Sequence, residues 1–186
     1  MQQFKSKDYV TILLVITNIA VYIFCTIQGN VLYNMGSLSV VDIIDRHDYY
    51  RILTSLFLHA NPQHIWGNMI FLAALGDMLE KSIGHGRFFA IYMLAGIGGN
   101  LLSMGHELAT GQFCSTIGAS GAVFGLIGAL LLLICKNNGT YGQISFRRMI
   151  FAIVYLFYSG IQSETTNNMA HLGGFITGFA VMAVFY

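Results

Sequence analysis

The chain has 186 residues, of which 55% are hydrophobic and only 9% charged, with a net charge of +1. A water-soluble domain carries about 25% charged residues, so this composition excludes an ordinary soluble globule and points to an all-α, polytopic membrane protein. The near-zero charge, without a basic patch interleaved with aromatics, excludes a nucleic-acid partner. Cys25, Cys114 and Cys135 lie too far apart for a CxxC, a Cys/His metal motif or a disulfide framework, and read as filler in apolar helices.

Crossing about 30 Å of hydrocarbon takes roughly 20 mainly apolar residues. The first stretch near that length runs from Tyr9 to Gln28, and MQQFKSKDYV before it lacks a small-residue cleavage site, so it predicts a retained span. The segment Gly29 to Leu58 sets Asp42, Asp45, Arg46, His47, Asp48 and Arg51 among apolar and aromatic residues. That mixture suits neither a span nor a solvated linker and predicts a structured loop partly in the interface. A second span is expected over Pro62 to Lys81, with proline in the first turn, where its missing N–H costs nothing.

Gly84 to Arg87 then predicts a short turn, followed by spans over Phe88 to Met104, Gly118 to Cys135, Phe146 to Ile161 and Asn168 to Tyr186. The fifth is the shortest. With no internal repeat and no low-complexity tract, residues 1–186 read as one membrane-embedded domain. A cytoplasmic N-terminus puts Lys5, Lys7, Lys81, Arg87, Lys136, Arg147 and Arg148 inside and leaves Arg46 and Arg51 outside, as the excess of basic residues on the cytoplasmic side requires. Spans two, four and six then begin at the outer face with their positive dipole ends outward.

Span four opens with Gly118-Ala119-Ser120-Gly121, a hydroxyl between glycines that a substrate can approach without a side chain in the way. The same small residues also suit close helix packing. Span six carries His171, an ionisable group within a membrane segment, on one face with Gly174 and Gly178; span four offers Gly121, Gly125 and Gly128 as a matching small surface. Packing these faces would bring Ser120 and His171 to similar depth as nucleophile and general base.

Glu107, read as part of the outer loop, and Glu164 are not placed to orient the imidazole, so a Ser–His dyad is expected rather than a triad. Phe124, one turn after Ser120, could stack on His171 or serve as ordinary packing. In span two, His64 and Asn68 share a face at the outer end and could stabilise an oxyanion alongside the Ser120 backbone N–H. His59, His64 and His171 could in principle bind zinc, but no HExxH and no carboxylate join them, so no metal is expected. His47, His85 and His106 fall in loops and receive no role.

Together these residues resemble the rhomboid family of intramembrane serine proteases, from about Tyr50 to Gly178. The likeness rests on Arg51 before the second span, His59-x4-His64-x3-Asn68, Glu80 near that span's inner end, Gly118-x-Ser120-Gly121, and Ala170-His171-x-x-Gly174-x-x-x-Gly178. The resemblance implies a six-helix core, a membrane-embedded first loop and an active site in a water-filled cavity open to the outer face. It makes Ser120 the nucleophile, His171 the base and His64 with Asn68 the oxyanion donors; His59 and Gly118 support the site, while Arg51 and Glu80 are structural.

Many family members carry tyrosine where this chain has Phe124, which keeps the ring against the histidine but not the hydroxyl. The expected activity is cleavage of other proteins' transmembrane segments, without a cofactor, in the manner of the minimal prokaryotic form in a bacterial cytoplasmic membrane. The alternative is a non-proteolytic rhomboid-like binding factor, a class that typically lacks the serine or the histidine. Substrate and oligomeric state are left open.

Overall fold

A computed structural model describes residues 8–163 and 166–186. Lys5, Lys7 and Glu164 lie outside the described residues. Helix α1 (Tyr9–Gln28) has the bounds its apolar run predicts. The loop after it is structured: α2 (Val31–Gly36), α3 (Val40–Arg46) and α4 (Arg51–Thr54) lead into a 3-10 turn at Ser55–Phe57. Buried Arg51 organises this segment, bonding the carbonyls of Asn34 (2.8 Å) and Ser37 (3.1 Å) and pairing with Asp42 (3.2 Å) and Asp48 (3.1 Å). A buried guanidinium needs partners on every side. Here they come from three parts of the loop.

Helix α5 (Pro62–Ile83) starts where Asn61 caps it, its side chain accepting from the His64 N–H at 2.8 Å, with Pro62 just inside. The helices α7 (Ser120–Lys136), α8 (Phe146–Ile161) and α9 (Asn168–Phe185) begin and end within about two residues of the sequence expectation, as helix ends generally can be placed. A short hairpin, β1 (Thr140–Tyr141) with β2 (Ile144–Ser145), joins α7 to α8, and Tyr141 bonds Ser82 of α5.

Three expectations are corrected. The turn over Gly84 to Arg87 reduces to Gly84 alone, whose φ of +85° breaks the chain at a single residue, so α6 (His85–Thr110) begins directly after it. At its other end α6 continues well past Met104 to Gly111, a left-handed cap with φ of +70°. His85, His106 and Glu107 are therefore helical rather than in loops. Glu107 does not stop the helix because its carboxylate is satisfied there, by Ser103 Oγ (3.1 Å) and the Cys114 N–H (3.2 Å). Cys114 in turn lies in the irregular segment before α7, not in an apolar helix.

Helix α7 is the centre of the bundle. Every residue from Gly121 to Ile134 except Leu131 is buried, against α6 and α9 above all. Glycine makes this closeness possible: a Cβ on Gly174 would lie 1.9 Å from the Gly121 carbonyl oxygen, and one on Gly178 would lie 2.0 Å from that of Gly125. On the other side of α9, a Cβ on Gly173 would lie 2.8 Å from the Gly98 carbonyl oxygen of α6. Three backbones thus meet with almost nothing between them, as small residues allow in membrane helices.

The outer surface is the reverse. Ile27 (74% exposed), Trp66 (70%), Phe151 (73%) and Val184 (82%) project outward, an arrangement stable in hydrocarbon rather than in water. By length and composition α1, α6 and α9 can cross a bilayer.

Candidate active site

The segment before α7 is held extended by backbone pairing of Thr116 with Leu38 (2.9 and 3.0 Å) and by the Gly118 N–H donating to the Ser55 carbonyl at 2.9 Å. Gly118 then takes φ of +129°, a conformation side-chain-bearing residues rarely adopt, and turns the chain into the helix. A Cβ there would also lie 2.7 Å from His64 Nε2, so glycine is required twice over. Ser120, half-buried, is the first residue of α7. The N–H groups of this first turn have no intrahelical acceptor and carry the positive end of the helix dipole.

His171 sits in the first turn of α9 and is 8% exposed. Phe124 lies flat on it, with ring centroids 4.0 Å apart and planes within 11°. Ser120 and Phe124 are one helical turn apart on the same side of α7. Their partners match: Gly121, next to Ser120, packs against Ala170, next to His171, so closely that a Cβ on Gly121 would lie 3.3 Å from the Ala170 carbonyl oxygen. The two candidate residues thus lie on facing turns of two helices in backbone contact.

Helix α5 brings the remaining polar groups. The His64 imidazole packs against Gly118 and meets His59 edge-on, with centroids 5.1 Å apart. Asn68, buried one turn below, donates to the His64 carbonyl at 2.9 Å. His59 is fully buried and its Nε2 accepts the Ala119 N–H at 3.4 Å, tying it to the residue before Ser120. Burial, assisted by neighbouring His64, pushes the His59 pKa down to about 4. It is therefore neutral at pH 7, as its acceptor role demands.

The structure also joins residues that the sequence did not single out. The Asn167 side chain accepts from the Ala170 N–H (3.0 Å) and donates to Ser103 Oγ (2.6 Å) and Thr116 Oγ1 (2.7 Å), linking α9, α6 and the segment leading to Ser120. Asn before an apolar run signals a helix cap; its second and third partners are set by long-range packing and leave no local trace.

A family model for the Rhomboid domain matches residues 46–186. The chain belongs to the rhomboid family. Among curated relatives, it is 37% identical over 156 residues to RHOMBOID-like protein 1 of Arabidopsis thaliana, covering 83% of this chain and 39% of that protein. It is 33% identical over 141 residues to Rhomboid protease GluP of Bacillus subtilis, covering 76% of this chain and 27% of that one. Rhomboid-like protease 1 of Toxoplasma gondii is 33% identical over 163 residues, covering 82% and 52%. The chain thus spans about half or less of the length of these relatives. As a rhomboid with three bilayer-length apolar helices among the described residues, it is an integral membrane protein. Its relatives come from a plant, a bacterium and Toxoplasma, so the likeness is not peculiar to bacterial rhomboids.

Proposed function

We propose that this rhomboid is an intramembrane serine endopeptidase cleaving peptide bonds within or next to transmembrane segments of other proteins. The observation that carries the reading is the Phe124–His171 stack one helical turn from Ser120. It supports a dyad in which Ser120 Oγ attacks the scissile carbonyl while His171 takes its proton. The same imidazolium returns the proton to the leaving amine, and water then releases the acyl-enzyme.

Negative charge on the tetrahedral oxygen would be met by the His64 and Asn68 side chains and the Ser120 backbone N–H, at the positive end of α7. Gly118, Gly121, Phe124 and His59 hold these groups in place. The relatives that are proteases by name, from Bacillus subtilis and Toxoplasma gondii, favour the same activity.

In this reading α1, α5, α6, α7, α8 and α9 form a six-helix membrane core. The basic residues put the N-terminus in the cytoplasm and the Ser120 end of α7 toward the outer face. The partners are the bilayer and a transmembrane substrate, with small residues at the cut and a helix that unwinds readily, because a peptide bond inside an intact helix is shielded.

The test is cleavage of a transmembrane substrate in liposomes by the native chain, Ser120→Ala and His171→Ala. Both folded variants should lose cleavage, and a fluorophosphonate should label native protein at Ser120. Cleavage by Ser120→Ala would overturn the serine mechanism. A native chain that neither cleaves nor labels would instead be a binding factor.

A further inference from the structure

Resting on the protease reading, we propose that Asn167 is a positioning residue, a three-way tether that sets the depth of the His171 helix against the segment carrying Ser120. Its position makes this possible. Asn167 is one turn before His171, and its backbone carbonyl accepts the His171 N–H at 3.2 Å. Thr116, one of its side-chain partners, stands the same four residues before Ser120. A displacement at Asn167 therefore reaches the base, and one at Thr116 reaches the nucleophile, each across only four residues of chain.

The chemistry explains why the residue is asparagine. Capping α9 needs only an oxygen, which serine, threonine or aspartate would supply equally. Asn167 uses Oδ1 for that cap, to the Ala170 N–H, and still has two amide protons, given to Ser103 Oγ and Thr116 Oγ1. The direction of the network is fixed from its far end. Glu107, only 3% exposed, accepts through Oε1 from Ser103 Oγ at 3.1 Å and through Oε2 from the Cys114 N–H at 3.2 Å. Ser103 spends its proton on Glu107 and presents a lone pair to Asn167. One amide thereby bonds to α6, to the extended segment before α7 and to α9, the three pieces whose relative depth decides whether Ser120 and His171 meet.

Small residues let the helices approach closely, and a directional hydrogen bond across the contact adds a restraint on sliding. A misplacement of about 1 Å can cost on the order of 100-fold in rate.

The test uses the full chain in liposomes with a synthetic transmembrane peptide carrying small residues at its centre. It measures kcat, KM, melting temperature and fluorophosphonate labelling for native protein, Asn167→Ser, Thr116→Val and the double variant. Asn167→Ser keeps a helix cap and loses the tether. We expect kcat and labelling to fall about tenfold or more with KM and melting temperature near native, and the double variant to be no worse than Asn167→Ser, since the one link that Thr116→Val cuts is already lost with the Asn167 amide. Should Asn167→Ser misfold, Thr116→Val, which leaves both the cap and the Ser103–Glu107 bond intact, carries the same expectation for kcat, KM and melting temperature.

Native turnover in Asn167→Ser, effects that multiply in the double variant, or kcat lost in step with melting temperature would each overturn the tether. A native chain that neither cleaves nor labels would instead overturn the protease reading, and the tether's role with it.

Discussion

The Phe124 ring covers the His171 imidazole face to face at 4.0 Å, and both side chains are buried where α7 meets α9. Such a stack restricts the imidazole to one plane without supplying a hydrogen bond. A stacked aromatic contact of this kind is worth about 1 kcal/mol beyond its buried area.

Replacing Phe124 should therefore separate ring from hydroxyl. Phe124→Ala leaves a gap beside the imidazole and should lower kcat on a transmembrane substrate by about tenfold or more, with the fold weakened by about 3 kcal/mol. Phe124→Tyr keeps the plane and should retain activity within about threefold, because positioning depends on the ring. Equal turnover by Phe124→Ala and native protein would show that the ring has no part in placing the base.

Close backbone packing predicts a sharp contrast between glycines. Gly174→Ala puts a methyl 1.9 Å from the Gly121 carbonyl oxygen, which cannot move without shifting α7. It should destabilise the bundle by about 3 kcal/mol and abolish cleavage. Gly105→Ala, on α6 with nothing within 4 Å, should be neutral or stabilising by up to about 1 kcal/mol through helix propensity. Thermal unfolding in detergent of the two variants side by side gives the comparison.

Glu80 seals the far end of the molecule. Its fully buried carboxylate accepts from the N–H groups of Val10 (2.8 Å) and Thr11 (2.7 Å) and from the Thr11 hydroxyl (2.6 Å), and it meets His85 Nδ1 at 2.5 Å. It thus closes the N-terminus of α1 with a negative charge at the positive dipole end. Glu80→Gln turns one acceptor into a donor facing donors and should cost about 2 kcal/mol, read as a lower melting temperature. Ser120 labelling in protein that remains folded should stay close to native, since Glu80 lies at the other end of α5.

Acid should weaken the protein through His59. Its folded pKa of about 4 lies below the ordinary histidine value of 6.5, so between these values the unfolded chain binds the proton and the native one does not. Stability therefore rises with pH across this window and falls on acidification, by up to about 1.4 kcal/mol per pH unit from this group, and is unaffected by it above the window. Protonation would also remove the lone pair that accepts the Ala119 N–H. Melting curves between pH 7 and 5 should show the decline, and His59→Gln should make it shallower; an unchanged slope in that variant would assign the acid sensitivity to other groups.

Much of this molecule was written in local pattern. The apolar run Tyr9 to Gln28 set α1, and Asn61-Pro62 marked the start of α5, because length, hydropathy and capping act over a few residues. Glycines spaced by helical turns at 121, 125 and 128 and at 174 and 178 marked two faces built for close approach, and these are the faces in contact. The polar positions Ser120, His171, His64 and Asn68 stood out because each is an anomaly in an apolar helix.

Tertiary structure decided the rest, where the physics is not local. That α6 runs on through Glu107 depends on partners at Ser103 and Cys114 that make a buried carboxylate tolerable. The fold of residues 31–57 follows from Arg51 finding Asn34, Ser37, Asp42 and Asp48 at once. The third backbone in the glycine seam, from Gly98 and Gly99 of α6, and the bond from Asn167 to Thr116 across 51 residues, exist only after the helices have packed. Sequence alone determined which surfaces and groups had to be buried; packing chose their partners, because a hydrogen bond or backbone contact is fixed by distance in space and not by separation along the chain.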